Sequence, residues 1–194
     1  MSHPSSSEHP PRKPEPWLRG PIPGVNPLIA PVFHSFLQVR EELGQHTAGL
    51  TTEQVWQVVA GTSLGFHLSH IAGSVDRLST YLAGEQLTDA QLEFLGHEPE
   101  AGASLATLLV LIDDRLSACE ERLRQINPGS YAEPRTVGRR AFPTTVIGLM
   151  VHLAEHTQRH LGQAILLSKL VRQISAKGAD LAPPDEGPSG FPKS

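Results

Sequence analysis

Three histidines recur at every fourth position near the end of the chain, at His152, His156 and His160. Four residues advance an α-helix by about 40° beyond one turn, so the three side chains share one face of a helix. Leu149 and Leu153 fall on the same side of the helical wheel, so this face is apolar. Burying a polar group without a partner costs roughly 1–3 kcal/mol, so several imidazoles at one level of an interior need a common partner. A metal ion can be that partner, because zinc and similar ions bind imidazole nitrogen.

A second pair of histidines, His67 and His70, lies in an earlier helical segment. One of these two, together with His156 and His160, would supply three nitrogen ligands and leave a fourth position open. That arrangement is typical of catalytic rather than structural zinc sites. The helical wheel places His67 nearer the centre of the apolar arc and His70 on its shoulder, so periodicity alone favours His67. Because buried histidines also occur as hydrogen-bonded core residues, a metal-free helical protein is the alternative interpretation.

Four amphipathic segments would position these side chains. The predicted helices A, B, C and D cover residues 26–46, 62–83, 104–126 and 143–174. Their apolar residues recur every three or four positions, and period-two alternation is absent, so no strand is predicted. We predict an all-α four-helix bundle with long connections between B and C and between C and D. A Thr-x-x-Gln capping box at 51–54 predicts the start of the next segment, and a second one at 88–91 predicts a short helix.

Proline placement marks the predicted boundaries of the domain. Nine of the 17 prolines lie at or before Pro31, and four lie beyond residue 182. Proline lacks the backbone N–H and blocks helix interiors. The sequence therefore predicts a flexible proline-rich arm over 1–16, a helical-bundle domain over 17–175 and a disordered tail over 176–194.

The net charge, the length of the apolar runs and the cysteine content indicate which classes of protein fit the sequence. The chain has 194 residues and a net charge of -4, which argues against nucleic acid as a partner. Since it contains no apolar run of the roughly 18 residues that a membrane span needs, no membrane association is predicted. The single cysteine, Cys119, cannot form an intramolecular disulfide and falls in helix C, which favours a small core residue and a cytoplasmic location.

Two of these segments resemble a known family. Residues 67–72 read HLSHIA and residues 156–163 read HTQRHLGQ, which is similar to the second and last helices of the DinB/YfiT-like superfamily of metal-binding four-helix bundles. Residues 135–140 (RTVGRR) and 143–145 (PTT) resemble one branch of that superfamily. The resemblance extends over residues 17–170. It implies the four-helix-bundle fold and one divalent transition metal, zinc or nickel foremost, with iron or copper as alternatives.

The resemblance also implies roles for individual residues. The metal ligands would be His70, His156 and His160, so it selects His70 where the helical wheel favours His67. Contacts with the ligands or with the substrate are expected from a further set of residues: His67, His152, Gln163, Arg139 and Arg140. The arginine of the family's H-R-G-Q ending is replaced here by Leu161.

Members of the superfamily imply an activity as well. Some transfer low-molecular-weight thiols of the bacillithiol or mycothiol type to electrophilic small molecules, and such transferases resemble this chain. A three-histidine metal with an open position generates a thiolate, and it activates water for hydrolysis equally well. The alternatives are a metal-dependent hydrolase and a non-catalytic metal-binding stress-response protein. The expected partners are a thiol and an electrophilic substrate, and the expected assembly is a homodimer.

Overall fold

The computed structural model describes residues 13–180, and the fold is mostly helical. A 3-10 turn (Pro16–Leu18) is followed by six helices and a two-stranded sheet. The elements are α1 (Ala30–Thr47), α2 (Thr52–Trp56), α3 (Leu64–Leu82), α4 (Asp89–His97), α5 (Leu105–Gln125), β1 (Pro134–Val137), β2 (Phe142–Thr145) and α6 (Val146–Asp180). Helices α1, α3, α5 and α6 correspond to predicted helices A, B, C and D, so the four-helix bundle is confirmed.

Polar side chains define where the helices begin. The Ser63 hydroxyl accepts a hydrogen bond from the backbone N–H of Phe66 and so caps α3. Thr51 and Thr88 form the predicted capping boxes with Gln54 and Gln91, which open α2 and α4. The predicted short helix after Thr88 is α4, and the capping box at Thr51 opens a second short helix, α2.

Helix α6, which carries three of the candidate histidines, packs against both α1 and α3. It is antiparallel to α3, since His67 lies against His160 while His70 lies against His156. Helix α5 packs against the other side of α3 and more weakly against α1. The four long helices therefore form a ring in the order α1, α6, α3, α5.

Helices α1 and α6 run parallel to each other, and so do α3 and α5. Because α3 and α5 are consecutive long helices, their parallel arrangement requires a long crossover connection. The contacts that fix these directions are Ser35–Gln158 and His46–Arg172 between α1 and α6, and Asp76–Arg115 and Ser79–Arg122 between α3 and α5. Because α3 and α5 point the same way, the segment 83–104 must return along the length of the bundle. This crossover carries α4.

The core is built from the apolar faces that the periodicity identified. Phe36, Leu68, Leu116 and Leu153 are fully buried, and they come from all four long helices. Cys119 is also buried, and burial raises the pKa of its thiol to about 12. It is a core residue, as its position in helix C predicted.

The connection between α5 and α6 differs from the prediction. Strands β1 and β2 pair antiparallel, with Pro134 opposite Thr145 and Val137 opposite Phe142. The prediction of no strand was therefore wrong, and α6 begins at Val146 rather than at Pro143. Pro143 fits because an edge strand tolerates a residue that cannot donate a ladder hydrogen bond.

The ends of the chain are described only in part. Residues 1–12 and 181–194 lie outside the described residues, and so do most of the predicted arm and tail. Helix α6 continues to Asp180, five residues beyond the predicted domain end at 175. Near the start, Arg19 donates two hydrogen bonds of 2.7 Å to Glu41 on α1, and this contact lowers the pKa of the Glu41 carboxyl to about 2. Within residues 13–180, no helix combines the length and hydropathy needed to cross a membrane.

Candidate metal centre

Three histidines from α3 and α6 meet between the two helices. His70 Nε2 lies 3.0 Å from His156 Nε2. The ring centroid of His160 lies 4.4 Å from that of His70 and 4.6 Å from that of His156. One nitrogen from each residue falls within 4.8 Å of the other two, so the three could hold a metal ion. All three side chains are half-buried.

The protonation state of His156 and His160 suits a metal ion. Burial, followed by the nearby His70, lowers the pKa of His156 to about 4 and that of His160 to about 3. Both rings are therefore neutral at pH 7, and neutral imidazole is the form that binds metals. Two ligands of a tetrahedral zinc with Zn–N bonds of 2.0–2.1 Å lie about 3.3 Å apart, close to the His70–His156 spacing. The residues therefore fit a divalent transition metal.

A buried carboxylate orients His70. Glu98 follows α4, and its side chain is 1% exposed. One carboxylate oxygen lies 2.7 Å from His70 Nδ1, and the other accepts a 2.7 Å hydrogen bond from Arg77 Nη1. Because an ionised carboxylate only accepts, His70 carries its proton on Nδ1 and presents an unprotonated Nε2 to the cluster. A carboxylate in this position fixes the tautomer and raises the basicity of a ligating histidine.

A glycine makes room for this carboxylate. A Cβ atom at Gly73 would collide with Glu98 Oε1 and would lie 2.7 Å from Arg77 Nη1 and 2.8 Å from Phe94 Cε1. Gly73 lies on α3, one turn beyond His70 on the side that faces the crossover. Because Gly73 has no side chain, the end of α4 packs close enough to α3 for Glu98 to contact His70.

His67 supports the cluster from the other side. It is 4% exposed, and its Nδ1 lies 2.9 Å from His160 Nδ1. Its Nε2 lies 3.1 Å from the hydroxyl of Thr62, and burial lowers its pKa. The helical wheel was right that His67 is the more buried of the α3 histidines. His70, which the family resemblance favours, lies close to His156 and His160, and its role as a metal ligand stays a prediction.

The remaining predicted site residues lie farther away. His152 is on the same helix face, but its side chain is 44% exposed and its Nδ1 lies 2.6 Å from Glu155. Gln163 is exposed, and within the described residues its side chain forms no hydrogen bond with the histidines. The roles given to these two residues stay predictions.

Arg139 and Arg140 lie in the exposed turn between β1 and β2, where the Arg140 guanidinium stacks 5.0 Å from the Phe142 ring. The base of this hairpin contacts α3 at Leu82 through Arg135. Leu82 is twelve residues beyond His70, about 18 Å along the helix. The structure does not bring the two arginines together with the histidines, and their role in substrate binding also stays a prediction.

Glu98, Arg77 and Thr62 were missed by the sequence reasoning. Glu98 comes from a polar connection without periodicity, and only the crossover places it against α3. Arg77 carried one signal, since it is a charged residue within the apolar helix B, and such a residue is almost never buried without a partner. Leu161 replaces the family's arginine and is 2% exposed, so this position belongs to the core here.

The sequence also matches the model of a known protein family. The family model described as the DinB superfamily matches residues 11–164, which include α1 to α5 and all three clustered histidines. No curated protein matches the sequence significantly. The match covers well over half of the chain, and we conclude that the protein belongs to the DinB superfamily.

Proposed function

We propose that the protein is a metal-dependent thiol S-transferase. His70, His156 and His160 would hold one divalent transition metal, zinc or nickel foremost. The observation that carries the proposal is the His70–Glu98 contact, because it directs an unprotonated nitrogen of His70 towards His156 and His160, whose pKa values are lowered by burial.

The proposed chemistry depends on the number of imidazole nitrogens that would bind the metal. A metal held by three imidazoles would have an open position, at which it would lower the pKa of a thiol or of water. The chain's own residues hold the cluster in place. Glu98 keeps the proton of His70 on Nδ1, and Arg77 balances the buried negative charge of Glu98. His67 contacts His160 and limits the orientation of its ring. The partners would be a low-molecular-weight thiol and an electrophilic small molecule.

A non-catalytic metal-binding protein is the second candidate. The histidines join α3 to α6, and Glu98 joins α3 to the crossover, so an ion at this position would link three parts of the fold. In that role chelation would lower the free energy of unfolding, and no thiol transfer would be observed at any metal loading.

We also propose a homodimer. Val151 and Leu166 are 59% and 58% exposed on α6, and they lie about 60° apart on its helical wheel. Exposed apolar side chains on one helix face support an interface between copies. Light scattering on the full chain measures the assembly directly.

The test of the proposed enzyme begins with metal content. The full chain, purified without an affinity tag, should contain about one transition metal per chain, and the H156A and H160A variants should contain none. His97→Ala is the matched control, because the His97 side chain is 57% exposed and pairs only with Glu100 within the described residues. Metal retained in H160A would contradict the three-histidine site. Metal-dependent conjugation of a thiol with an electrophile would then separate the enzyme from the non-catalytic protein.

A further inference from the structure

We propose that a cavity beside the histidine cluster binds the electrophile, and that it selects a neutral, apolar molecule with a carbonyl oxygen, such as an aromatic α,β-unsaturated ketone. This inference rests on the proposed transferase function and names its substrate class. The cavity has a volume of about 340 Å³. Its lining residues are Val58, Gly61, Thr62, Ser63, Phe66 and Pro99.

The cavity lies next to the cluster. Phe66 is one helical turn before His70 on α3, and the two rings stack with centroids 5.5 Å apart at 26°. Pro99, another lining residue, directly follows Glu98, whose carboxylate contacts His70. One helical turn is about 5.4 Å, so the cavity lies about one turn away from the cluster.

The walls of the cavity favour a neutral ligand. Among the described residues that line it, none is charged. Val58 is 71% exposed, so a ligand packed against it would remove apolar surface from water. The Ser63 hydroxyl already accepts the N–H of Phe66 as the helix cap. A larger cavity of about 390 Å³ lies along α3 and α4, but Asp76, Glu85 and Arg115 line it, so it does not suit an apolar molecule.

The hydroxyl of Thr62, which lines the cavity, is oriented by the histidine cluster. His160 Nδ1 faces His67, which leaves His160 Nε2 as the nitrogen for a metal. With Nε2 in that role, His160 carries its proton on Nδ1 and donates it to His67 Nδ1. His67 then carries its own proton on Nε2 and donates to Thr62 Oγ1. Since the Thr62 hydroxyl accepts this bond and has no other partner in the described part of the chain, its proton is free to donate to a ligand oxygen in the cavity.

This donor suits the chemistry of thiol addition. The thiolate sulfur forms a bond to the β-carbon of the enone while the carbon–carbon π bond breaks, and the electron pair moves to the carbonyl oxygen. A proton, equivalent to the one lost by the thiol, then reaches the α-carbon from solvent. A hydroxyl that donates to the carbonyl oxygen stabilises the negative charge that develops there.

A tight turn holds this donor in place. Val59 and Thr62 exchange two backbone hydrogen bonds of 2.8 and 3.2 Å, and the two residues between them are left-handed, with φ of 53° at Ala60 and 84° at Gly61. A left-handed alanine is strained and persists only where the surrounding structure imposes it. The turn thus holds the backbone of Thr62 in a defined position before a ligand arrives.

The test measures binding without reaction. The probe is 4-phenylbutan-2-one, the saturated and unreactive analogue of an aromatic enone, titrated into the zinc-loaded full chain and followed by NMR chemical shifts. V58D should weaken binding at least tenfold, whereas V110D should leave it unchanged, because Val110 is similarly exposed (61%) but lies on α5. T62V should weaken the ketone about tenfold without affecting butylbenzene, which lacks the oxygen, and T62S should restore ketone binding.

The outcomes separate this inference from the proposed function. Ketone binding that is insensitive to V58D, in protein that holds one metal per chain, overturns the inference and leaves the transferase proposal standing. Equal affinity of T62V and wild type for the ketone overturns the assigned donor. If V58D-sensitive binding occurs in protein that never takes up metal, the transferase proposal fails while the cavity assignment is supported.

Discussion

The buried carboxylate of Glu98 provides the sharpest test of the site. It accepts hydrogen bonds from His70 and from Arg77, each with a separation of 2.7 Å. Replacing Glu98 with Gln keeps the size of the side chain but exchanges one acceptor oxygen for an NH2 group. This group must then face either the Nδ1–H of His70 or the guanidinium of Arg77, so one donor loses its acceptor.

The Glu98→Gln substitution should lower both the metal affinity and the stability of the metal-free protein. Removing a carboxylate that orients a ligating histidine typically lowers metal affinity 10–100-fold, or about 1.4–2.7 kcal/mol. In addition, the Arg77 side chain is 10% exposed and loses its counter-ion. A hydrogen bond between charged groups contributes about 1.5–3 kcal/mol, and we expect the metal-free protein to lose stability in that range.

Both quantities can be measured on the same variant. Competition with a chromophoric chelator gives the zinc dissociation constant, and urea denaturation of the metal-free protein gives the free energy of unfolding. Glu100→Gln is the control, because Glu100 is 65% exposed and only two residues away. A Glu98→Gln protein that binds zinc within twofold of the wild type would refute the orienting role of the carboxylate.

Three further outcomes are expected. In metal-free protein the free energy of unfolding should fall as the pH drops from about 6.5 towards 4, because the lowered pKa values of His156 and His160 mean that the unfolded chain binds protons that the folded chain does not. A flat urea midpoint between pH 7 and 5 would contradict this. Gly73→Ala should displace the end of α4 and weaken zinc binding at least tenfold. Gly96→Ala is the control and should leave zinc binding unchanged, because a Cβ atom there meets nothing within 4 Å among the described residues. Ala60→Gly should raise the free energy of unfolding by about 1 kcal/mol by relieving the left-handed alanine, and destabilisation in urea would show that the turn is unstrained.

The helices were predictable because their signals are local. Apolar spacing of three or four residues identified the four long helices, and the capping boxes at Thr51 and Thr88 marked the positions where α2 and α4 begin. The hairpin was missed because four-residue strands are too short for a period-two pattern, and Pro143 read as a helix start. The histidine cluster was predicted in outline, whereas Glu98 was not, because its partner His70 is 28 residues away and only tertiary folding brings the two together.

The antiparallel packing of α3 against α6 has a consequence for how the site forms in time. The paired residues His70 and His156 are 86 positions apart, and His67 and His160 are 93 apart. Contacts of such long sequence separation are slow to form because a large loop must close first. The cluster therefore assembles only when the last helix docks, after the rest of the bundle has been synthesised. If α6 docks after the folding transition state, a bound ion will slow unfolding while leaving the folding rate nearly unchanged.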